Sequence, residues 1–219
     1  MLSETHGFLD DALITNFREC DEIWHASDLG TSQVIDQLNR LKPVRGVFGN
    51  VDGPEIRSRL PEDLEWCSEN ARVYMTHIDG YPGRYDPGAR RELERRKPDL
   101  FICGHSHIAR VMRDEKLSLL HINLGASGHT SWHKERIAMR FDIVAGKVAN
   151  LALLLRGKRG RKSSLKETVA VTIGRAHVRE HGRILASHFR CWVGCSIWWR
   201  LLLAHCASQR IACKSMRNW

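Results

Sequence analysis

Residues 100–107 read Leu-Phe-Ile-Cys-Gly-His-Ser-His. Four apolar residues that end at Gly104 predict a buried strand with an abrupt stop. His105 and His107 follow at i and i+2. Strand-end loops of an α/β sheet are where ligands sit, and Gly104 lets the backbone approach whatever binds there. Two imidazoles with one small residue between them can face two neighbouring metal ions from a single loop. Taken alone, the same stretch is read more readily as a polar turn with two solvated histidines. The surrounding chain decides between these readings.

Upstream, the pattern is strand, polar loop, helix, repeated. Residues 1–3 predict the end of a strand, most of it missing. Residues 8–19 place Phe8, Leu9, Leu13, Ile14 and Phe17 at helical spacing. Residues 21–26 predict a short strand running into Ser27-Asp28-Leu29-Gly30. Thr31 or Ser32 caps a helix with Val34, Ile35, Leu38 and Leu41 on one face. Residues 44–48 predict a further strand, ending at Gly49-Asn50-Val51-Asp52-Gly53. This order implies a parallel or mixed sheet with helices packed on it. Each strand end carries candidate ligands: Glu4 and His6, then Asp28, then Asn50. Successive strand ends on one sheet edge bring such groups together.

Residues 64–68 and 72–76 predict a hairpin, with Asn70 near its turn and the second strand ending at His77. The Gly- and Pro-rich loop 80–88 is read either as a wall of the site supplying Arg84 to an anion or as a surface connection. Residues 88–97 form a charged helix that leads into strand 100–103. Segments 109–112, 117–123, 137–144 and 148–155 predict an antiparallel second sheet, packed face to face with the first. Between them, residues 123–129 (Asn-Leu-Gly-Ala-Ser-Gly-His) form a small-residue loop able to approach a phosphate with its N–H groups.

The 219 residues suit one domain with an appendage. The net charge of +9 is unevenly placed. Residues 156–219 hold 14 of the 34 Lys and Arg and two acids, Glu167 and Glu180, which leaves residues 1–155 with a net charge of about −3. Cys20, Cys67 and Cys103 lie in the body, and Cys191, Cys195, Cys206 and Cys213 in the tail, at spacings that match no common zinc pattern. An odd number of thiols with no signal peptide predicts reduced cysteines and a cytoplasmic location. The apolar run 192–207 is interrupted by Arg200 and His205, so no membrane span is expected.

Six blocks in order resemble the calcineurin-like metallophosphoesterases, specifically their small bacterial and archaeal phosphodiesterases. They are Glu4-Thr5-His6, Ser27-Asp28, Gly49-Asn50-Val51-Asp52, Thr76-His77-Ile78, Gly104-His105-Ser106-His107 and Asn123-Leu124-Gly125-Ala126. The resemblance covers residues 1–155. It implies an α/β (α+β) fold, a double β-sandwich of two mixed sheets flanked by helices. It also implies a two-metal site that hydrolyses a small phosphodiester or phosphomonoester. By analogy, Glu4, His6, Asp28 and His107 hold one ion, and Asp28, Asn50, His77 and His105 hold the other, with Asp28 bridging. Asp28, Asn50, Asp52 and His105 carry the catalytic roles, Asp52 orienting a ligand or assisting proton transfer. Carboxylate, amide and imidazole donors suit Mn²⁺ first, and also Zn²⁺, Fe or Ni²⁺. Ions about 3.5–4 Å apart clamp a phosphoryl group, and a bridging hydroxide is the expected nucleophile.

The pattern is also broken in places. Glu4 stands where the family has Asp, Ser27 and Ile78 where it has Gly, and Leu124 where it has Pro. The clipped first strand is expected to fray, and the second metal position to survive better than the first. The alternative reading is a scaffold that keeps the fold with an impaired site, as the retromer scaffold subunit of this superfamily does. The basic tail 156–219 has three readings: contact with nucleic acid or an anionic surface, packing on the body, or an unselected extension. The oligomeric state is not legible.

Overall fold

The expected strand–loop–helix repeats form as α1 (Asp11–Phe17), β1 (Ile23–Ala26), α2 (Ser32–Asn39), β2 (Val44–Val47) and a single-turn α3 (Pro54–Arg57). There follow β3 (Asp63–Ser68), β4 (Ala71–Thr76), the short β5 (Gly80–Tyr81) and β6 (Arg84–Tyr85), α4 (Pro87–Arg96) and β7 (Leu100–Cys103). The remaining strands are β8 (Ala109–Asp114), β9 (Leu119–Leu124), β10 (Arg136–Val144), β11 (Lys147–Arg156) and β12 (Leu165–Ala170). The structure is a computed structural model and describes residues 1–78, 80–129, 135–156 and 165–170. Of the basic tail, only Arg156 at the end of β11 and the strand β12 are among the described residues, and β12 pairs antiparallel with β11.

One layer is a five-stranded mixed sheet in the order β3-β4-β7-β9-β8, with β4, β7 and β9 parallel. Segments 109–112 and 117–123, expected in a separate antiparallel sheet, instead belong here as β8 and β9. The hairpin between them returns the chain so that β9 inserts between β8 and β7, pairing Leu100 with Leu120 and Cys103 with Asn123. Alternation within a strand specifies its faces and leaves its neighbours undetermined.

In the other layer β1 pairs in parallel with β2, and β10, β11 and β12 form an antiparallel group. Residues 1–3 join the two. Leu2 bridges in parallel to His25, with N–H bonds from Leu2 to Trp24 O and from Ala26 to Leu2 O. On the opposite side the Met1 nitrogen donates to Met139 O at 2.6 Å and Met139 N–H to Met1 O at 2.9 Å. The expected fraying of this segment is therefore corrected. Met1, Leu2, Ser3, Glu4 and Thr5 are all buried and held from both sides.

Period-2 alternation builds three apolar zones. Ala71, Val73 and Met75 of β4 and Leu100 and Ile102 of β7 meet Trp24, Val47, Met139 and Leu153 of the facing layer in one core. Tyr74 and Phe101, which point the other way, meet Leu93 of α4. Leu2 and Ile23 meet Leu13, Phe17, Val34, Ile35 and Leu38 of α1 and α2. Two strand layers thus face each other, with helices on both outer sides. Strands buried on both faces explain the unbroken apolar runs at β7 and β9.

Leu2→Ala is expected to cost about 2–5 kcal/mol of unfolding free energy, the range for a buried leucine truncation. Val144→Ala, on a side chain 58% exposed, should cost no more than about 0.5 kcal/mol. Urea denaturation of both variants checks this, and equal midpoints would mean that residues 1–5 are not held.

Candidate metal centre

Each donor-bearing loop leaves the carboxyl end of a strand or strand-like segment: Glu4 and His6 after residues 1–3, Asp28 after β1, Asn50 and Asp52 after β2, His77 after β4, and His105 and His107 after β7. Parallel running of β1 with β2, and of β4 with β7, sends these loops to one edge. Glu4, Asp28 and His77 are buried at the floor, His6 and His107 are half-buried, and Asn50 and His105 are exposed at the mouth.

His77 Nε2 lies 2.6 Å from Asn50 Oδ1, 3.0 Å from His105 Nδ1 and 3.9 Å from Asp28 Oδ2. Glu4 Oε2 lies 3.0 Å from His107 Nε2 and 3.4 Å from His6 Nε2. Glu4 Oε1 accepts the His105 N–H at 2.6 Å and lies 3.9 Å from His77 Nδ1. Donor atoms of Glu4, His6 and His107 all fall within 4.8 Å of one another, as do those of Glu4, Asp28 and His77. Glu4 is common to both groups, whereas the sequence reading placed Asp28 alone between them. The extra methylene of glutamate carries its carboxylate into the middle of the cleft.

Burial works against ionisation of Glu4. Bonds from His107, His6 and the His105 N–H outweigh it and bring the carboxyl down to about 2. Burial, with the negative charge of Glu4 beside it, pushes Asp28 up to about 7. Burial lowers His77 to about 4, and the bond to Glu4 raises His6. Two carboxyl groups in contact cannot both stay ionised unless positive charge lies between them. Glu4 Oε2 and His6 Nε2 meet only at ion-pair distance, with His107 Nε2 beside them, and His107 Nδ1 is buried without a hydrogen-bond partner. Buried polar atoms without a well-directed hydrogen bond fit a site that holds an ion. Oxygen and nitrogen atoms aimed at shared points, with no thiolate, fit a hard or borderline divalent cation.

Asp52, expected to orient a ligand or assist proton transfer, turns its carboxylate to backbone N–H groups. Its Oδ1 accepts from Gly30 N–H and its Oδ2 from Gly49 N–H, each at 2.8 Å, while Arg57 bonds to Asp52 O and Gly49 O. With both oxygens taken by backbone, Asp52 braces the Asp28 loop against the Asn50 loop. The 123–128 loop is corrected likewise. Gly125 N–H goes to Asn123 Oδ1, Ser127 N–H to Ser3 O and Gly128 N–H to Glu4 O. The first closes the loop on itself, the other two anchor the Glu4 segment, and none of the three is free for a phosphate. Arg84 is exposed on β6 and makes no contact with the cluster among the described bonds.

Three supporting contacts escaped the sequence reading, although Thr5, Ser27 and Asn123 all stand in the quoted blocks. Ser27 Oγ lies 2.6 Å from His77 Nδ1. Thr5 Oγ1 lies 3.0 Å from Nε2 of the fully buried His25 and donates to Leu29 O. Asn123 Nδ2 donates to Gly104 O at 2.6 Å. A lone histidine inside the apolar strand 23–26 was the available signal for the second; the other two contacts have none.

Residues 1–146 match the family model of the calcineurin-like phosphoesterase superfamily domain. The chain belongs to the calcineurin-like phosphoesterase superfamily. A probable metallophosphoesterase of Methanothermobacter thermautotrophicus is 34% identical over 130 residues, 55% of this chain and 72% of that protein. Among solved structures, Vps29 of Entamoeba histolytica complexed with Zn²⁺ aligns with a TM-score of 0.58 at 16% identity, over 77% of this chain and 96% of that one. An archaeal phosphodiesterase aligns with a TM-score of 0.54 at 17% identity, over 70% of this chain and 97% of that one. At these identities the two structures share the fold. Members of the superfamily bind divalent metals, in keeping with the donor set.

A Cβ on Gly49 would lie 1.9 Å from Asp28 Oδ1, whereas one on Gly53 meets nothing within 4 Å. Gly49→Ala is expected to weaken Mn²⁺ binding by at least about tenfold, the scale for disturbing a ligand's support. Gly53→Ala should bind as the parent does. Calorimetric titration of both, with circular dichroism to confirm folding, checks this.

Proposed function

We propose that this chain is a metal-dependent phosphoesterase acting on a small phosphodiester or phosphomonoester. The observation that carries the reading is the convergence of Glu4, His6, Asp28, Asn50, His77, His105 and His107 from five strand-end loops into one open cleft. Glu4, His6 and His107 would hold one divalent ion, and Asp28, Asn50, His77 and His105 the second, with the Glu4 and Asp28 carboxyls between them. Mn²⁺ is the first choice, ahead of Zn²⁺, Fe or Ni²⁺. When bound, such a pair neutralises phosphoryl charge and activates a water for in-line attack.

The chain's own groups supply the rest. His77, kept neutral by burial, presents imidazole nitrogen rather than a competing positive charge. Its orientation is set by Ser27 on one side and Asn50 on the other. His105 stands exposed at the mouth, where an incoming phosphoryl oxygen meets it. Asp52 keeps the Asp28 and Asn50 loops in register. A cytoplasmic location is part of the same proposal. No helix among the described residues is long and apolar enough to cross a membrane.

A second reading, a binding scaffold with an impaired site, draws on Glu4. Its carboxylate already bonds to the His105 N–H, and so competes for space with an ion. Hydrolysis of bis(p-nitrophenyl) phosphate with added Mn²⁺ separates the two readings. The parent should turn over, chelation should abolish the rate and Mn²⁺ restore it, and His105→Ala should lose about 100-fold or more in kcat/KM. Equal background rates in parent and variant would favour the scaffold. Independently, Mn²⁺ at about 100 times its Kd should add about 2.7 kcal/mol of stability, read as a rise of several degrees in Tm.

A further inference from the structure

Ser27 follows β1 and precedes the candidate ligand Asp28. It is fully buried, with φ at 80°. Backbone in this left-handed region suits glycine, and a residue with a Cβ is strained there. Strain of this kind persists where the residue has a use that outweighs it. What serine offers here beyond glycine is a hydroxyl. Its backbone is also engaged: Ser27 O accepts the Glu4 N–H at 3.0 Å.

A hydroxyl has one hydrogen to give and lone pairs to receive. Ser27 Oγ donates its hydrogen to Ala26 O. The same oxygen lies 2.6 Å from His77 Nδ1. With its hydrogen committed, Oγ can only accept there, so the proton between the two atoms belongs to Nδ1. Glu4 Oε1, the other acceptor near that nitrogen, lies at 3.9 Å, beyond hydrogen-bond reach. A metal-binding imidazole is neutral and carries a single ring proton. Placed on Nδ1, that proton leaves Nε2 with its lone pair. Nε2 lies within the donor cluster, 2.6 Å from Asn50 Oδ1, 3.0 Å from His105 Nδ1 and 3.9 Å from Asp28 Oδ2. Asn50 Oδ1 competes with Ser27, because a proton on Nε2 would bond to it and close His77 to an ion. Asn50 is exposed, where water satisfies its amide, whereas Ser27 is fully buried against the ring.

We propose that Ser27 is a positioning residue, which holds the His77 ring proton on Nδ1 and so leaves Nε2 free for a divalent cation. The proposal rests on the metal site of the reading above and stands whether or not hydrolysis follows. Hydrogen bonds on the far side of a ligating histidine fix which nitrogen is free, and losing one costs about 10–100-fold in metal affinity. Such a role leaves a mark opposite to that of a serine kept for packing. Ser27→Gly removes the hydroxyl and relieves the backbone, so the fold gains while the ion is held less tightly. Ser27→Ala removes the hydroxyl and keeps the strain.

The test uses the full chain and both variants. Long-range proton–nitrogen NMR on the chelator-treated chains reads which ring nitrogen of His77 carries the proton, the signal being assigned by its loss in His77→Gln. Calorimetry measures Mn²⁺ affinity, and thermal unfolding of the chelator-treated chains measures stability. The parent should carry the proton on Nδ1. Both variants should move it toward Nε2 and bind Mn²⁺ about tenfold or more weakly. Ser27→Gly should nevertheless melt at or above the parent's temperature, and Ser27→Ala below Ser27→Gly. A proton on Nε2 in the parent, a parent that binds no Mn²⁺, or variants that both bind Mn²⁺ within about twofold of the parent overturns the proposal. So does a loss of affinity that comes with a lower Tm in Ser27→Gly and an unmoved ring proton, the mark of packing alone. Weakened Mn²⁺ binding in variants of a parent that hydrolyses no phosphoester keeps the role of Ser27 and removes the phosphoesterase reading. Hydrolysis by a parent whose variants bind Mn²⁺ equally well keeps that reading and removes the role of Ser27.

Discussion

The His105 N–H donates to Glu4 Oε1 across 101 positions of the chain, at 2.6 Å. Both sheets have to be in place before this bond can form. Glu4 is delivered by a segment zipped on one side to β1 and on the other to β10, and His105 by the parallel strand β7 of the opposite layer. The two backbones approach so closely that a Cβ on Gly104 would lie 2.5 Å from Ala26 O and 2.7 Å from Glu4 Oε1. The fold and the cleft therefore depend on the same contact. Anything that separates the layers opens the donor cluster, and anything that fills Gly104 pushes the layers apart.

Six residues of the cleft adopt the left-handed conformation: Glu4, His6, Ser27, Asp28, His105 and His107, with φ between 47° and 80°. Most other non-glycine residues with positive φ lie at helix or hairpin turns, such as Lys97 after α4, Glu69, Asn70, Ser118 and Ala145. Left-handed backbone costs a residue with a Cβ about 1–2 kcal/mol, so six of them oppose folding by an amount comparable with the net stability of an ordinary domain. The apolar zone shared by the two layers has to offset that cost. Its alternating β4, β7 and β9 side chains, buried on both faces, provide the means.

The order of elements was legible because helical and strand periods differ and Gly or Pro marks most of the breaks. The seven candidate donors could be singled out because each lies in a loop that follows an apolar run. Strand neighbours were not. Nothing within 109–123 tells β9 to lie beside β7, since that choice is made by layers meeting in space. The duty of Asp52 was also hidden: an aspartate in a Gly-rich turn reads the same whether its oxygens face a ligand or the N–H groups of Gly30 and Gly49. The small-residue loop 123–128 looked open to a phosphate because its N–H partners, Ser3 O and Glu4 O, lie about 120 residues away. The central position of Glu4 depends on side-chain reach, which sequence spacing does not express.

Charge balance bears on why the strain is retained. Among the described residues, Glu4 and Asp28 have histidines as ion-pair partners and no Lys or Arg. Burial and the neighbouring Glu4 raise Asp28 to about 7, so that it is partly protonated at neutral pH, and burial keeps His77 uncharged. The cluster thus reduces its own charge by moving protons, which is how buried groups respond when no fixed counter-ion is supplied. A surface that served only to contact other proteins would gain stability by relaxing those φ angles and replacing the buried acids with apolar side chains, since isolated buried charges are costly. Six strained residues, three of which carry a buried oxygen or nitrogen atom with no well-directed hydrogen bond, are better explained as a cage suited to a cation. Strain concentrated at one cleft is the pattern expected of a preorganised site.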